Sequence, residues 1–242
     1  PYDSGSYASS TAYLTGTAVV KTCEALKEKI LHKAAKYLET GAEELEFDGK
    51  RVYKLACEAD GTRKEITIKD LANRVQCANE DALQVTQSHS SPISPPPFMA
   101  GAAEVEVDLE TGQVELIKFA AAVDCGTPLN ENLARVQTEG GLVQGIGMAL
   151  YEDVSYSKDG KVHENSFMQY KVPSRLDVGR VQVEFESSFE PTGPFGAKSI
   201  GEVVINTPSP AIANAVYNAV GVRIRELPIT AEKVFKGMNG LD

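Results

Sequence analysis

The residues best placed to do chemistry lie in one short stretch, Gly193-Pro-Phe-Gly-Ala-Lys-Ser-Ile-Gly-Glu202. Its three glycines, Gly193, Gly196 and Gly201, fall within nine positions and exclude both a helix and a regular strand. Each opens backbone angles closed to other residues and lets a second group come close. The stretch therefore reads as a turn that carries one cation, Lys198, and delivers one carboxylate, Glu202, shortly before a helix. A carboxylate presented in this way can serve as a general base. On spacing alone a solvated surface glutamate is the commoner outcome, so the elements around the stretch have to decide.

Those elements alternate between helical and extended patterns. A polar Ser-, Thr- and Tyr-rich loop over residues 2–13 leads into a helix over 15–39, because Ala18, Val19, Cys23, Leu26, Ile30, Ala34 and Leu38 recur at three- and four-residue steps. Thr15 or Thr11 can cap it and Gly41 stops it. Asp48-Gly49 between two alternating runs predicts a hairpin within 44–55. A short extended piece follows at 66–68, then a helix opened by Thr67 or by Lys69-Asp70. Pro92, Pro95, Pro96 and Pro97 forbid helix or central strand and predict an extended crossing segment. A second hairpin pairs 102–108 with 114–123, and Asn130 caps a helix over 131–151. Gly140, Gly141, Gly145 and Gly147 in that helix cost about 1 kcal/mol each relative to alanine. They call for close approach of a ligand or backbone, with tight helix–helix packing an equal alternative. Gln137 and Gln144, two turns apart, share one side. Strands are predicted at 162–172 and 181–189, a core helix at 211–220 begun by Ser209 or Thr207, and a last helix start at 228–233.

The fold class is thus α+β, with helices packed on small mixed or antiparallel sheets in two subdomains. Residues 1–90 form the first, with an N-terminal loop. Residues 91–101 cross over, and 102–242 form the second, with the Gln/Gly-rich helix and the Gly-Glu loop.

Bulk properties exclude several function classes. Twenty-four basic residues against 34 acidic ones give a net charge of −10, unsuited to nucleic acid or an anionic membrane. No run approaches the ~20 apolar residues needed to span a bilayer. Cys23, Cys57, Cys77 and Cys125 form no Cys-x-x-Cys pair, and His32, His89 and His163 lie in unrelated segments, so no protein-borne metal site is expected. Reduced thiols and a cytoplasmic location are expected. Pro1 in place of Met fits a processed chain or a piece of a longer one.

Three segments, in order, resemble one family. They are Asp3-Ser-Gly-Ser-Tyr-Ala-Ser-Ser leading to Thr15-Gly-Thr-Ala-Val; Val123-Asp-Cys-Gly-Thr-Pro-Leu-Asn130 with Gln137-Thr-Glu-Gly-Gly-Leu-Val-Gln-Gly-Ile-Gly147; and the opening loop with Pro208-Ser-Pro-Ala-Ile. The chain resembles the C-terminal half of the molybdenum-binding (molybdopterin) subunit of the xanthine dehydrogenase and aldehyde oxidoreductase family of molybdenum hydroxylases. The resemblance implies that family's C-terminal domain fold and a pterin-held molybdenum with no protein ligand, in its plain or cytosine dinucleotide form. It implies that Glu202 takes a proton from the oxygen nucleophile beside the metal. Ser6, Tyr7, Ala8, Ser9 and Gln137 would contact the cofactor, and Lys198 and Gly201 would frame it. It further implies oxidation of an N-heterocycle or aldehyde with water as oxygen source. Iron–sulfur clusters and FAD would sit on partner domains or subunits, in a homo- or hetero-oligomer. The half that precedes this one in the family has no counterpart here, so the site would be shared with it and the chain alone inactive. A scaffold homologue that has lost catalysis stays open as an alternative.

Overall fold

The computed structural model describes residues 5–241, so Asp3 and Ser4 of the N-terminal motif lie outside it. The chain packs as two compact units, one of residues 14–92 and one in which residues up to Tyr13 join Ile93 onward. The N-terminal loop is therefore grouped with the C-terminal part of the chain.

In the unit of residues 14–92, helix α1 (Thr11–Leu38) precedes strands β1 (Leu45–Phe47), β2 (Arg51–Lys54) and β3 (Glu65–Thr67) and helix α2 (Ile68–Cys77). The strands form an antiparallel sheet in sequence order. The Asp48-Gly49 turn forms as expected. Phe47 pairs with Val52, the Asp48 carboxylate accepts the amides of Lys50 and Arg51 at 2.9 Å, and Gly49 has φ +90°. Thr67 caps α2 by accepting the Asp70 amide. Helix α1 ends at Leu38, next to the expected Glu39, but glycine does not stop it. Glu39, not Gly41, takes the left-handed conformation (φ 53°), and the Thr40 amide bonds back to the Ala35 carbonyl. This closes the last turn, and Gly41 adopts ordinary extended angles. Ile30, Ala34 and Leu38 bury against Leu45, Val52, Ile66, Leu71 and Val75. Val19 and Cys23, on the same predicted stripe, are exposed.

Glu80 ties the end of α2 to α1. It accepts from Lys33, Lys36 and Tyr37 at 2.5 to 3.0 Å, and these bonds hold its carboxyl down to about 2. A carboxyl depressed on folding stabilises the native state above its unfolded value, and this contribution is lost as pH falls through the folded one. Acid should therefore weaken this unit from about pH 4.5 down to about pH 2. Glu80→Gln should flatten the fall of Tm over that range, and an unchanged acid slope would remove Glu80 from the account.

The other unit is built on a sheet ordered β4 (Phe98–Val107), β5 (Val114–Asp124), β6 (Arg180–Phe185). The β4–β5 pair is antiparallel and the β5–β6 pair parallel. A parallel pair needs a long crossover, and α3 (Glu131–Leu150) supplies its helix, with Asn130 accepting the Leu133 amide as cap. Helix α4 (Pro208–Val220) packs on β4 and on α3, and α5 (Ala231–Asn239) closes the chain. Phe119, Val123, Leu142, Ile146, Val183, Ile212, Val216 and Val234 form the core.

Two expectations are corrected here. The crossing segment ends at Pro97 and not at residue 101, because from Phe98 onward every residue has an N–H to give to the ladder. Residues 162–172 form no strand. Between α3 and β6 the chain runs through turns, with one isolated bridge, Tyr156 to Val162. The Glu164 carboxylate takes both the amide and the hydroxyl of Ser155, and Ser166 accepts the Tyr170 amide. Such local bonds compete with a sheet ladder.

The glycines of α3 divide by face. A methyl on Gly141 would meet Val204 Cγ2 at 2.1 Å, and one on Gly145 would meet Pro208 Cγ at 2.7 Å. Tight packing therefore accounts for both. Gly140 has open space at that position and is exposed. The four cysteines are free, with Cys125 buried. Among the described residues no helix is long and apolar enough to cross a membrane, and no acidic, His and Cys cluster could hold a metal.

Candidate cofactor and base site

The Gly193–Glu202 stretch is held by main-chain bonds to the turn that follows β5. Gly126 bridges to Ala197, the Lys198 amide donates to the Cys125 carbonyl, and the Thr127 amide donates to the Gly196 carbonyl, both at 2.8 Å. Gly126 (φ +70°) has to be glycine on two counts, since a methyl there would also lie 2.3 Å from the Gly196 oxygen. Pro194 to Gly196 make one 3-10 turn, with Phe195 left-handed (φ 53°) and exposed. A second 3-10 turn, Val203–Ile205, begins directly after Glu202 and buries Val204. The backbone amides of residues 199–202 donate to no acceptor among the described residues.

The N-terminal loop comes to the same place. Ala8 and Ser9 have φ 50° and 55°, two consecutive left-handed residues without glycine's freedom. Strain of this kind persists where the surroundings over-determine it and clusters at ligand sites. Ser6 bonds Thr11 through their hydroxyls, Ser10 Oγ donates to the Tyr7 carbonyl, and Tyr13, buried, bonds Thr192 at 2.8 Å. A methyl on Gly201 would sit 2.7 Å from Ser9 Oγ and 3.9 Å from Gln137 Nε2. Ser9, Gln137 and Gly201 thus meet at one point, and Glu202 is the next residue. Tyr7, Ala8, Gln137 and Glu202 are exposed. The Ser9 hydroxyl, the Gln137 carboxamide and the Glu202 carboxylate make no bond to each other or to any other described residue. Beside Gln137 a cleft of about 270 Å³ runs between Ala12, Pro128, Leu129, Leu133 and Ile200.

Lys198 points elsewhere. Its ammonium pairs with Asp124 Oδ2 at 2.8 Å, reaches the Pro96 carbonyl at 3.4 Å and lies 5.4 Å from the centre of the Phe98 ring. Asp124 Oδ1 accepts from Ser188 Oγ at 2.5 Å and from the Gly126 amide at 3.0 Å. Burial pushes the Asp124 carboxyl up, but the bonds from Lys198, Ser188 and Gly126 outweigh it and hold it below its usual value. Burial raises the Cys125 thiol, which keeps it protonated and unreactive. The Asp124 carboxylate was not among the sequence-predicted site residues. Its one signal was its place at the end of a strand, before Cys125-Gly126.

The residues fit a large polar ligand offered from outside the unit. Ser9 and Gln137 meet at Gly201, where a side chain would collide with Ser9; among the described residues the amides of 199–202 and these two side chains are unbonded, and the Glu202 carboxylate is on the next residue. Comparison with known proteins agrees. A family model described as the molybdopterin cofactor-binding domain matches residues 1–179, and the chain belongs to that family. It is 33% identical over 239 residues to a probable hypoxanthine oxidase of Escherichia coli, covering 98% of this chain and 24% of that protein. It is 30% identical over 247 residues to the 6-hydroxypseudooxynicotine dehydrogenase complex subunit gamma of Paenarthrobacter nicotinovorans, covering 98% of this chain and 30% of that protein. The solved Cu,Mo-CO dehydrogenase superposes with a TM-score of 0.83 at 27% identity over 99% of this chain and 31% of its own. Quinoline 2-oxidoreductase of Pseudomonas putida gives 0.82 at 25% identity over 98% and 31%. The fold is that of molybdenum hydroxylase large subunits. The chain spans between a quarter and a third of the length of these relatives.

Proposed function

We propose that this chain is the base-bearing part of the cofactor site in a molybdenum hydroxylase that oxidises an N-heterocycle or an aldehyde. The observation that carries the reading is the meeting of Ser9, Gln137 and Gly201 beside Glu202, with the side chains of Ser9, Gln137 and Glu202 unbonded among the described residues. When bound, the molybdenum pterin would supply two-electron oxidation of a carbon centre with oxygen drawn from water. Gln137, Ser9 and the amides of residues 199–202 would hold it, with Tyr7 and Ala8 lining the approach. A Glu202 carboxylate oxygen would take the proton of the oxygen nucleophile. The Gly201 backbone lets the carboxylate stand close to the cofactor loop, since any side chain there would collide with Ser9.

The reading also assigns partners. The rest of the molybdenum subunit would close the other side of the site, and iron–sulfur and flavin domains or subunits would carry the electrons away, in the cytoplasm. Without them the chain would turn nothing over. Co-expression with the remaining polypeptide should give a complex that retains molybdenum and pterin through purification, measured by metal analysis and by fluorescence of the oxidised pterin. Gly201→Val should cut that content several-fold, because its branched side chain would displace Ser9. A metal-free, pterin-free complex with the unaltered chain would sink the reading.

A further inference from the structure

Lys198 stands four residues before Glu202, yet its side chain is 9% exposed and turned towards Asp124. We infer that the Asp124–Lys198 ion pair is a positioning device: it fixes the loop that carries Glu202 against the ends of β5 and β6, so that the carboxylate is presented at one place. This rests on the reading of Glu202 as the base. The geometry behind it, however, belongs to this chain alone.

Three connections meet at the Asp124 carboxylate. Oδ2 takes the Lys198 ammonium from the glycine loop, and Oδ1 takes Ser188 Oγ from the segment after β6 and the Gly126 amide from the turn after β5. The ammonium has further partners in the Pro96 carbonyl and the Phe98 ring, at the entry to β4. One cation and one anion therefore join chain segments at residues 96–98, 124–126, 188 and 198. Charge-assisted bonds are about twice as strong as neutral ones, and a partly buried pair is screened less by salt than a surface pair. The loop needs such an anchor. Between Lys198 and the 3-10 turn at Val203–Ile205 no backbone amide donates within the described protein, and the main-chain bond that reaches residues 199–202 among the described residues is a long one, from the Ile205 amide to the Glu202 carbonyl at 3.3 Å. Before this run the Asp124–Lys198 pair adds to the bond from the Lys198 amide to the Cys125 carbonyl, within it Ile200 packs partly buried against the core, and after it Val204 is buried. Neither Asp124 nor Lys198 touches Glu202, and neither is a catalytic residue.

The test compares Lys198→Met, Asp124→Asn and Lys198→Arg in the full chain by hydrogen exchange, and in the assembled enzyme by kinetics. Lys198→Met and Asp124→Asn should speed exchange of the bonded amides within 196–206, those of residues 196–198, 205 and 206, by about tenfold or more while amides in β5 and the core of α3 stay unchanged, as expected for a local opening. Lys198→Arg, which keeps the charge, should restore most of the protection. In the enzyme the first two variants should lower kcat by about tenfold or more at nearly constant KM and cofactor content, as expected when a reacting group is misplaced rather than substrate binding lost. Uniform acceleration across the whole unit would mean a general stability role and would overturn the inference. Unchanged exchange at 196–206 would overturn it as well. If Glu202→Gln proved harmless to turnover while the exchange result held, the reading of Glu202 would fail and the anchoring of the loop would stand.

Discussion

Glu202→Gln should lower turnover of the assembled enzyme by about a hundred- to ten-thousand-fold, the usual contribution of a positioned general base, while molybdenum and pterin content stay near the unaltered level. The substitution keeps shape and hydrogen-bonding capacity and removes only the ability to hold a proton at the carboxylate. Folding should be indifferent to it, because the side chain is exposed and makes no bond within the described protein. Surface changes of this kind usually stay within about 0.5 kcal/mol. The pairing of outcomes is what makes the measurement decisive. A fall in kcat with unchanged cofactor content and Tm places Glu202 at the chemistry. A fall in kcat accompanied by loss of cofactor would make it a binding residue. Full activity would return it to the surface glutamate that spacing alone favoured.

How much of this was legible in the sequence depended on how local the deciding physics is. Asn130, Thr67 and the Asp48-Gly49 turn were readable because each acts within four residues: the side chain that ends one element bonds the first amides of the next. The stop signal of α1 was misread for a related reason. The closing bond from Thr40 to Ala35 does not need glycine, and Glu39 takes the left-handed position instead. Residues 162–172 read as a strand, but Ser155, nine positions away, donates its amide and hydroxyl to the Glu164 carboxylate instead. The Gly193–Glu202 loop was legible as glycine spacing. The role of Lys198 was not, because its partner is 74 residues distant. Alternation could not show β5–β6 pairing either, since a parallel neighbour depends on the crossover rather than on either strand.

Gly140 and Gly141 put the two explanations for the glycines of α3 side by side, and alanine at each should shift stability in opposite directions. At Gly140 there is open space, so Gly140→Ala should stabilise the chain by about 1 kcal/mol through helix propensity alone. At Gly141 the same propensity gain is available, but the methyl would lie 2.1 Å from Val204 Cγ2, and Val204 is fully buried. Overpacking a filled core costs about 1 to 3 kcal/mol, so Gly141→Ala should be net destabilising. For a chain of this size each kcal/mol corresponds to about 2 to 4 °C in Tm, which thermal unfolding resolves easily. Equal stabilisation by both variants would show that α3 does not press on the Val203–Ile205 turn. The complex adds a second comparison. Gly140 lies on the same exposed side of α3 as Gln137 and Gln144, with Leu133 and Val136 exposed one turn earlier. An exposed glycine that internal packing does not require is explained if something outside the unit comes close to that face. Gly140→Ala should therefore raise the Tm of the chain by itself yet lower cofactor loading or recovery of the complex. Gly141→Ala should lower both together, since it displaces Val204 two residues from Glu202. A Gly140→Ala chain that is more stable and assembles normally would mean that nothing outside the unit needs the open space at Gly140.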